Sequence, residues 1–359
     1  MTAPETVASG PTVSVIVPAR NEEVCLAACL ESLVAQTGVA FEIILVDDGS
    51  TDRTREIAQS FASVRVVEAG PPPAHWTGKN NAMAAGAGVA QGEWLLFTDA
   101  DTVHKPGSLA RAVAEARQCG AALLSYSPEQ EVHGFWEKAV MPVIFGELAE
   151  TFQPALVSDP RSPAAAANGQ YILIARGAYD AIGGHAAVSG SLLEDVALAK
   201  AVKSSGRKTF FRFGGDAVRT RMYRNFSQLR EGWTKNLALL FPSPVHLALL
   251  RLTEFVLIAG GVAAAGAALL RGHVRPAVVA AILAGSMYGF HLNRIRRAHF
   301  SWGANVLAIS GLPLFAYLLL RSRLSYKQGS VTWKGRTYEG STNHVGADSL
   351  VRPAGRRSA

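Results

Sequence analysis

The 359-residue chain is long enough for one large domain or two modest ones, and a 49% hydrophobic content supplies a sizeable core. Part of its formal net charge of +7 comes from arginines beside apolar blocks near the carboxyl end, which suits anionic lipid headgroups; no basic-aromatic interleaving marks a nucleic-acid-binding sheet. Three cysteines and a polar start over residues 1–11 argue against a disulfide framework and a secretory signal, so a reduced, cytoplasmic catalytic part is expected.

Residues 1–11 read as a disordered leader. Strand and helix patterns then alternate: a strand over 13–17, a helix over 22–36, a strand over 41–46, a helix over 53–61 and a strand over 64–67. After Pro71-Pro72-Pro73 come an Ala-rich helix over 79–90 and a strand over 94–98. Alternation of this kind predicts a mostly parallel sheet with helices on both faces. Asn21 before Glu22 and Glu23 suits a helix N-cap with acids in the first turn. Cys25 and Cys29, four apart without a partner pair at ligand spacing, fit helix packing better than a metal.

Pro106 opens a helix to 119, followed by a strand over 121–126. The stretch 134–152 mixes aromatic, Met and Pro residues with scattered charges, and suits either an interfacial helix or one packed on the sheet. Further on, the pattern predicts a strand over 168–175, a tight turn at Gly183-Gly184, a helix over 192–204, a strand over 208–213 and an amphipathic helix over 226–241. Residues 242–321 form a membrane region of two to four apolar segments, near 246–270, 276–292 and 303–320. Arg251 and Glu254, spaced i, i+3, can pair near its start. Arg294, Arg296 and Arg297 favour the cytoplasmic side, as do Arg321, Arg323 and Lys327. One crossing between these clusters cannot satisfy both, so either 303–320 is re-entrant at Gly311 and Pro313 or one cluster lies outside. A basic tail, 322–359, carries Trp333-Lys334-Gly335-Arg336 and is expected on the cytoplasmic side.

The chemistry gathers at strand ends. Strands run into Pro18-Ala19-Arg20-Asn21-Glu22, into Asp47-Asp48-Gly49-Ser50 and into Asp99-Ala100-Asp101. Ligands of open α/β sheets bind beyond the carboxyl ends of the strands, and carboxylates converging there need a cation among them. Asp99 and Asp101, two apart on extended chain, point the same way and suit all-oxygen ligation of Mg²⁺ or Mn²⁺. Lys79, just after Gly78 at a helix start, can neutralise a phosphate, although no P-loop is present. Thr51 or Asp52 is explained as a cap of the next helix. Glu194 and Asp195 suit a general base, or equally the acidic start of a helix.

Taken together, these segments resemble the family 2 glycosyltransferases of the GT-A nucleotide-diphosphosugar fold. The resemblance rests on residues 15–23, 46–52, 99–101 and Leu193-Glu194-Asp195, in the family's order across 12–241. Trp76-Thr77-Gly78-Lys79-Asn80, Glu231-Gly232-Trp233-Thr234-Lys235-Asn236 and the Trp-Lys-Gly-Arg tail are similar to the membrane-bound subgroup of carotenoid and hopanoid pathways. The resemblance implies that Pro18, Glu22, Asp48, Lys79 and Asp99 bind a nucleotide sugar, a UDP-sugar in the first instance. Asp101, with Asp99, would hold the metal. Asp195 would be the base of an inverting transfer, and Glu194, His185, Trp233 and Lys235 would lie on the acceptor side. It further implies a hexosyl transfer to an isoprenoid-like lipid by a multi-pass enzyme of the cell membrane whose catalytic domain faces the cytoplasm. Residues 230–233 read Arg-Glu-Gly-Trp where processive synthases carry Gln-x-x-Arg-Trp, which favours a single transfer over polysaccharide synthesis. Two other classes compete: a nucleotidyltransferase, disfavoured because 18–23 holds no glycine, and a non-catalytic membrane protein that keeps the fold.

Overall fold

The computed structural model describes residues 10–339. In chain order the first elements are β1 (Val13–Ala19), α1 (Leu26–Val34), β2 (Phe41–Asp47), α2 (Thr54–Gln59), β3 (Val64–Glu68), α3 (Gly78–Val89), β4 (Trp94–Phe97) and β5 (Thr102–His104). Then come α4 (Ser108–Cys119), β6 (Leu123–Ser127), β7 (Glu129–Gln130), α5 (Phe135–Thr151), α6 (Pro154–Ser158), β8 (Ile172–Ala175), α7 (Arg176–Ala181) and α8 (Glu194–Ser204). The last are β9 (Thr209–Phe213), β10 (Val218–Thr220), α9 (Phe226–Leu240), α10 (Pro244–Leu270), α11 (Val274–Ile295), α12 (Trp302–Leu307), α13 (Gly311–Lys327), β11 (Ser330–Trp333) and β12 (Arg336–Glu339). Contacts group the chain up to Glu129 with Pro154–Thr220 as one unit, and Gln130–Gln153 with the chain from Arg221 onward as a second.

The first unit is built on a seven-stranded sheet in the order β3-β2-β1-β4-β8-β6-β9. Strand β1 is apolar on both faces because both are covered. Val13, Val15 and Val17 pack with Leu26, Leu30 and Leu33 of α1, while Ile16 packs with Ala82 and Met83 of α3. Its neighbours β2 and β4 run parallel to it. Strand β8 runs antiparallel to both β4 and β6, so the loop entering β8 arrives at the edge where β1, β2 and β4 end. That reversal brings residues 168–170 to the acidic strand ends.

Several boundaries move relative to the sequence reading, for identifiable reasons. Helix α1 starts at Leu26 rather than Glu22, and Asn21 is not its N-cap. Asn21 instead adopts a left-handed φ of 54°, and its Oδ1 accepts the Thr51 N–H at 2.8 Å, holding the β1 and β2 loops together. Asp52 does cap locally: its Oδ1 accepts the Thr54 N–H at 3.0 Å, and its Oδ2 accepts Glu23 N–H at 3.1 Å. The strand expected from 168 begins only at Ile172, because Asn168-Gly169 makes a turn.

In the second unit, Val140, Ile144, Trp233, Leu237, Phe315 and Leu319 share one core drawn from α5, α9 and α13. The stretch 134–152 is thus a helix of this unit, packed into its core. At residues 311–313 the chain does not turn back on itself. The helical path runs from α12 through a 3₁₀ turn at Ala308–Ser310 straight into α13. Gly311 makes this possible by packing flush on α5: a Cβ there would lie 1.9 Å from the Ala139 carbonyl oxygen. The re-entrant reading of this segment is therefore corrected. Two stretches are long and apolar enough to cross a bilayer, Pro244–Leu270 and Trp302–Lys327.

Candidate active site

The site lies at the carboxyl edge of the large sheet, inside the first unit. Helix α3 brings in Lys79. Its N-cap Thr77 accepts the Asn80 N–H at 3.1 Å, which fixes the first turn. The Asn80 side-chain amide points the other way, 2.8 Å from the Ser189 and 3.1 Å from the Ser191 carbonyl oxygens. Thr77 N–H donates to the Ser189 carbonyl as well, at 2.9 Å. These bonds tether residues 188–191 to α3 and so place the start of α8 against Lys79.

The Lys79 ammonium consequently bridges two elements. Its Nζ lies 2.8 Å from Asp99 Oδ1 and 2.8 Å from Glu194 Oε1. Burial works against its charge, but the two carboxylates more than offset that and hold Lys79 well above the ordinary lysine range. Asp195 sits next to this pair without joining it. Its Oδ2 accepts the Gly169 N–H at 3.0 Å and its Oδ1 accepts its neighbour Val196 N–H at 2.8 Å. Burial, and after it the charge of Glu194, push the Asp195 carboxyl up to about 6, with Lys79 pulling the other way. A carboxylate so tuned is ionised near neutrality yet a better proton acceptor than a solvated one.

The Asp99-Ala100-Asp101 turn is anchored through its carbonyls. Thr102 Oγ1 donates to the Asp99 oxygen at 2.8 Å, and Thr220 Oγ1 donates to the Asp101 oxygen at 3.1 Å. Behind them, Thr98 Oγ1 donates to the Gln170 carbonyl at 2.8 Å. With the Thr98 and Thr102 protons spent in this way, the His104 Nε2 atom, 3.1 Å from Thr98 Oγ1, is the donor between them. Burial pushes His104 down to about 3, so the ring is neutral and carries its proton on Nε2. This layer holds both aspartates by their main chain.

Asp99 and Asp101 form a hard, all-oxygen donor pair that fits Mg²⁺ or Mn²⁺ and not a softer ion. Among the described residues no group of three or more His, Cys, Asp or Glu side chains is placed to hold a metal. Two carboxylates suit an ion that takes its remaining oxygens from a diphosphate and water. Cys25 and Cys29 play no such part: Cys29 is fully buried and its thiol is pushed up to about 12 by that burial.

The structure brings Lys79, Asp99, Glu194 and Asp195 together directly. Pro18, Glu22, Asp48 and Asp101 lie on the same edge. The Asp48 carbonyl accepts Arg20 Nη1 at 2.7 Å, and the Glu22 N–H donates to Thr54 Oγ1 at 2.7 Å, which ties the β1 and β2 loops into one wall. His185, only 1% exposed, faces the Tyr179 hydroxyl across 2.9 Å and rests edge-on against Phe97, buried behind Glu194 and Lys79 rather than at the surface. Trp233 and Lys235 belong to the second unit. Trp233 fills its core, with Nε1 donating to Met141 Sδ at 3.4 Å, and the Lys235 ammonium stands 5.1 Å from the Trp333 ring centre. Sequence reasoning missed Gly169, whose absent Cβ leaves space 3.0 Å from Lys79 Nζ and 3.3 Å from Glu194 Oε1. The Asn-Gly dipeptide was its available signal.

Residues 14–176 match the model described as glycosyl transferase family 2. The fold is GT-A, a mostly parallel sheet flanked by helices. A mannosyltransferase from Pyrobaculum calidifontis, solved with GDP-Man and Mn²⁺, aligns with 89% of this chain and 87% of its own at a TM-score of 0.53 and 16% identity. Among curated relatives, the 4,4'-diaponeurosporenoate glycosyltransferase of Staphylococcus aureus is 29% identical over 233 residues, 63% of this chain. The match spans 60% of that enzyme's length.

Proposed function

We propose that this protein is a membrane-associated glycosyltransferase that moves one hexosyl group from a nucleotide-diphosphosugar to an isoprenoid-like lipid, with inversion. The observation that carries the reading is the Lys79–Asp99–Glu194 bridge standing beside Asp195, a carboxylate raised to about 6. A base of that strength, a cation for a diphosphate and a hard-ion carboxylate pair are the parts this transfer needs. Glu22 and Asp48 would bind the nucleoside on the wall formed by the β1 and β2 loops, with Pro18 lining it. Lys79 would face the diphosphate.

In the transfer, an acceptor oxygen attacks the anomeric carbon as the bond from that carbon to the diphosphate oxygen breaks. The nucleoside diphosphate leaves with the electron pair, and Asp195 takes the acceptor's proton. A divalent cation held by Asp99 and Asp101 would supply charge neutralisation at the departing diphosphate. Should the acceptor be a carboxylic acid, already ionised at neutral pH, Asp195 would orient it instead of deprotonating it. The Mn²⁺ and GDP-Man of the Pyrobaculum enzyme support a divalent ion and a nucleotide-sugar donor, and the name of the Staphylococcus relative supports a lipid of carotenoid type. The apolar carboxyl-terminal helices support a cell-membrane location, and the basic residues Arg294, Arg296, Arg297, Arg321, Arg323 and Lys327 support a catalytic domain on the cytoplasmic face.

The test uses the full chain in nanodiscs with Mn²⁺ or Mg²⁺, labelled UDP- and GDP-hexoses and a lipid extract. A lipid product carrying a single sugar is expected. Full activity in both Asp101→Ala and Asp195→Ala would reject the mechanism, and a polymeric product would identify a processive synthase instead.

A further inference from the structure

We infer that the α10–α11 hairpin is what crosses the bilayer, passing through it twice, and that the α12–α13 segment does not cross. This rests on the membrane association proposed above and specifies which helices carry it.

The two apolar stretches differ in what they touch. Only 17% of the α10 span is buried, against 50% of Trp302–Lys327. Along α10, Val256, Leu257, Val262 and Leu270 are more than half exposed, and on α11 so are Ile282 and Leu283. An apolar surface of that length has no stable exposure to water. The seam between the helices has the composition of a membrane helix pair. Ala265, Ala277 and Ala284 are buried, and a Cβ on Gly261 would meet the Ala284 methyl at 2.9 Å. In α13, by contrast, Leu312, Phe315, Leu318 and Leu319 are buried in the unit's own core. Polar bonds also fasten α13 to α9: Ser322 Oγ donates to the Thr234 carbonyl at 2.6 Å, and the Tyr326 hydroxyl donates to the Lys235 carbonyl at 2.7 Å. On α13 the exposed positions are Tyr317, Leu320, Arg321, Leu324 and Lys327, a narrow strip beside a mostly buried circumference.

The charges at the two ends of the hairpin match this placement. At its base, Arg251 lies 2.8 Å from both Glu147 and Glu254. Arg294 lies 3.2 Å from Glu147 and 2.9 Å from Glu254, and His291 Nδ1 is 3.0 Å from Glu254. Two arginines thus balance two glutamates where the helices meet α5, so no uncompensated charge enters the lipid. At the turn, Arg271, His273 and Arg275 are exposed. From 255 to 270 the helix rises about 24 Å at 1.5 Å per residue. That is near the roughly 30 Å of a hydrocarbon core, which sets the paired base at one headgroup layer and the turn at the other. Two crossings also return Arg294, Arg296 and Arg297 to the side of Arg321, Arg323 and Lys327, so both basic clusters satisfy the positive-inside rule together.

The experiment places single cysteines in a full-length Cys25→Ser, Cys29→Ala, Cys119→Ser background at Ser227 in α9, His273 in the turn, Arg296 after α11 and Gln328 after α13. An impermeant maleimide is applied to right-side-out and to inside-out vesicles. The expected result is that positions 227, 296 and 328 label from one side and 273 from the other, in membranes from which carbonate does not extract the protein. Labelling of 296 from the side of 273 would overturn the inference, as would labelling of 227 and 328 from opposite sides, labelling of all four from one side or release by carbonate. None of these readings depends on turnover, so a protein with this topology and no transferase activity would reject the proposed function alone.

Discussion

At Asp195 two consequences of one environment run in opposite directions with pH. Because its carboxyl titrates at about 6 in the fold and 3.8 as a free side chain, the folded state favours its protonated form. The stability this group contributes is therefore complete below about 3.8 and is lost as pH rises through about 6. The activity that needs it ionised rises over the same interval. Initial rates of the wild-type protein from pH 5 to 8 should fall about tenfold per unit below 6. Asp195→Asn should lower kcat by about 10²–10⁴-fold and remove that inflection. An unchanged inflection in the variant would assign it to another group. Gly169 gives the second prediction at this scale. A methyl group there must displace Lys79 Nζ, 3.0 Å away, or Glu194 Oε1, 3.3 Å away. Gly169→Ala should lower kcat more than tenfold with little change in melting temperature. Asp195, Lys79 and Asp99 stood out in the sequence by their places at strand and helix ends, although an acidic helix start explained Asp195 equally well, and it is the fold that brings the three together. Gly169 did not stand out, since its importance lies in atoms it does not have.

Among the elements, those with strong periodicity were legible and those made by long-range bonds were not. The paired runs of β1 and β2, the Ala-rich α3 and the apolar α10 are marked by local pattern alone. Local pattern does not show that β8 runs antiparallel, nor that His104, Thr98 and Thr220 share one buried polar layer under the Asp99–Asp101 turn. It also misled at Asn21, where an apparent helix cap is a clasp between two loops. The polar layer can be probed at Thr98. Thr98→Val keeps the shape but removes the hydroxyl that donates to the buried Gln170 carbonyl and one of the two hydroxyls beside His104 Nε2, at a cost of about 1–3 kcal/mol. Denaturant titration should show that loss. Because the layer also fixes the aspartate turn, kcat should fall as well, whereas a purely structural layer would lower stability alone.

On the scale of the whole molecule, the sequence set apart an acidic, strand-and-helix amino-terminal part from the apolar segments that follow, and it posed the positive-inside conflict that the proposed α10–α11 hairpin would resolve. It did not show that 134–152, far from the apolar segments along the chain, belongs with them. The side chains responsible, Glu147 and Gly146, meet Arg251, Arg294 and Ile295 from more than a hundred residues downstream.

The salt links of Lys79 reach beyond the cleft. A protein that gathers carboxylates for a divalent ion would ordinarily lean on that ion for its integrity, since the bare cluster repels itself. Here an amino group of the chain already stands among them as a built-in counter-ion, touching Asp99 and Glu194 at 2.8 Å each. Chelation should consequently silence this protein without loosening it. With EDTA, product formation should stop and return on adding Mn²⁺, while the melting curve shifts by no more than about a degree. A large drop in melting temperature would show that the lysine does not fill that place.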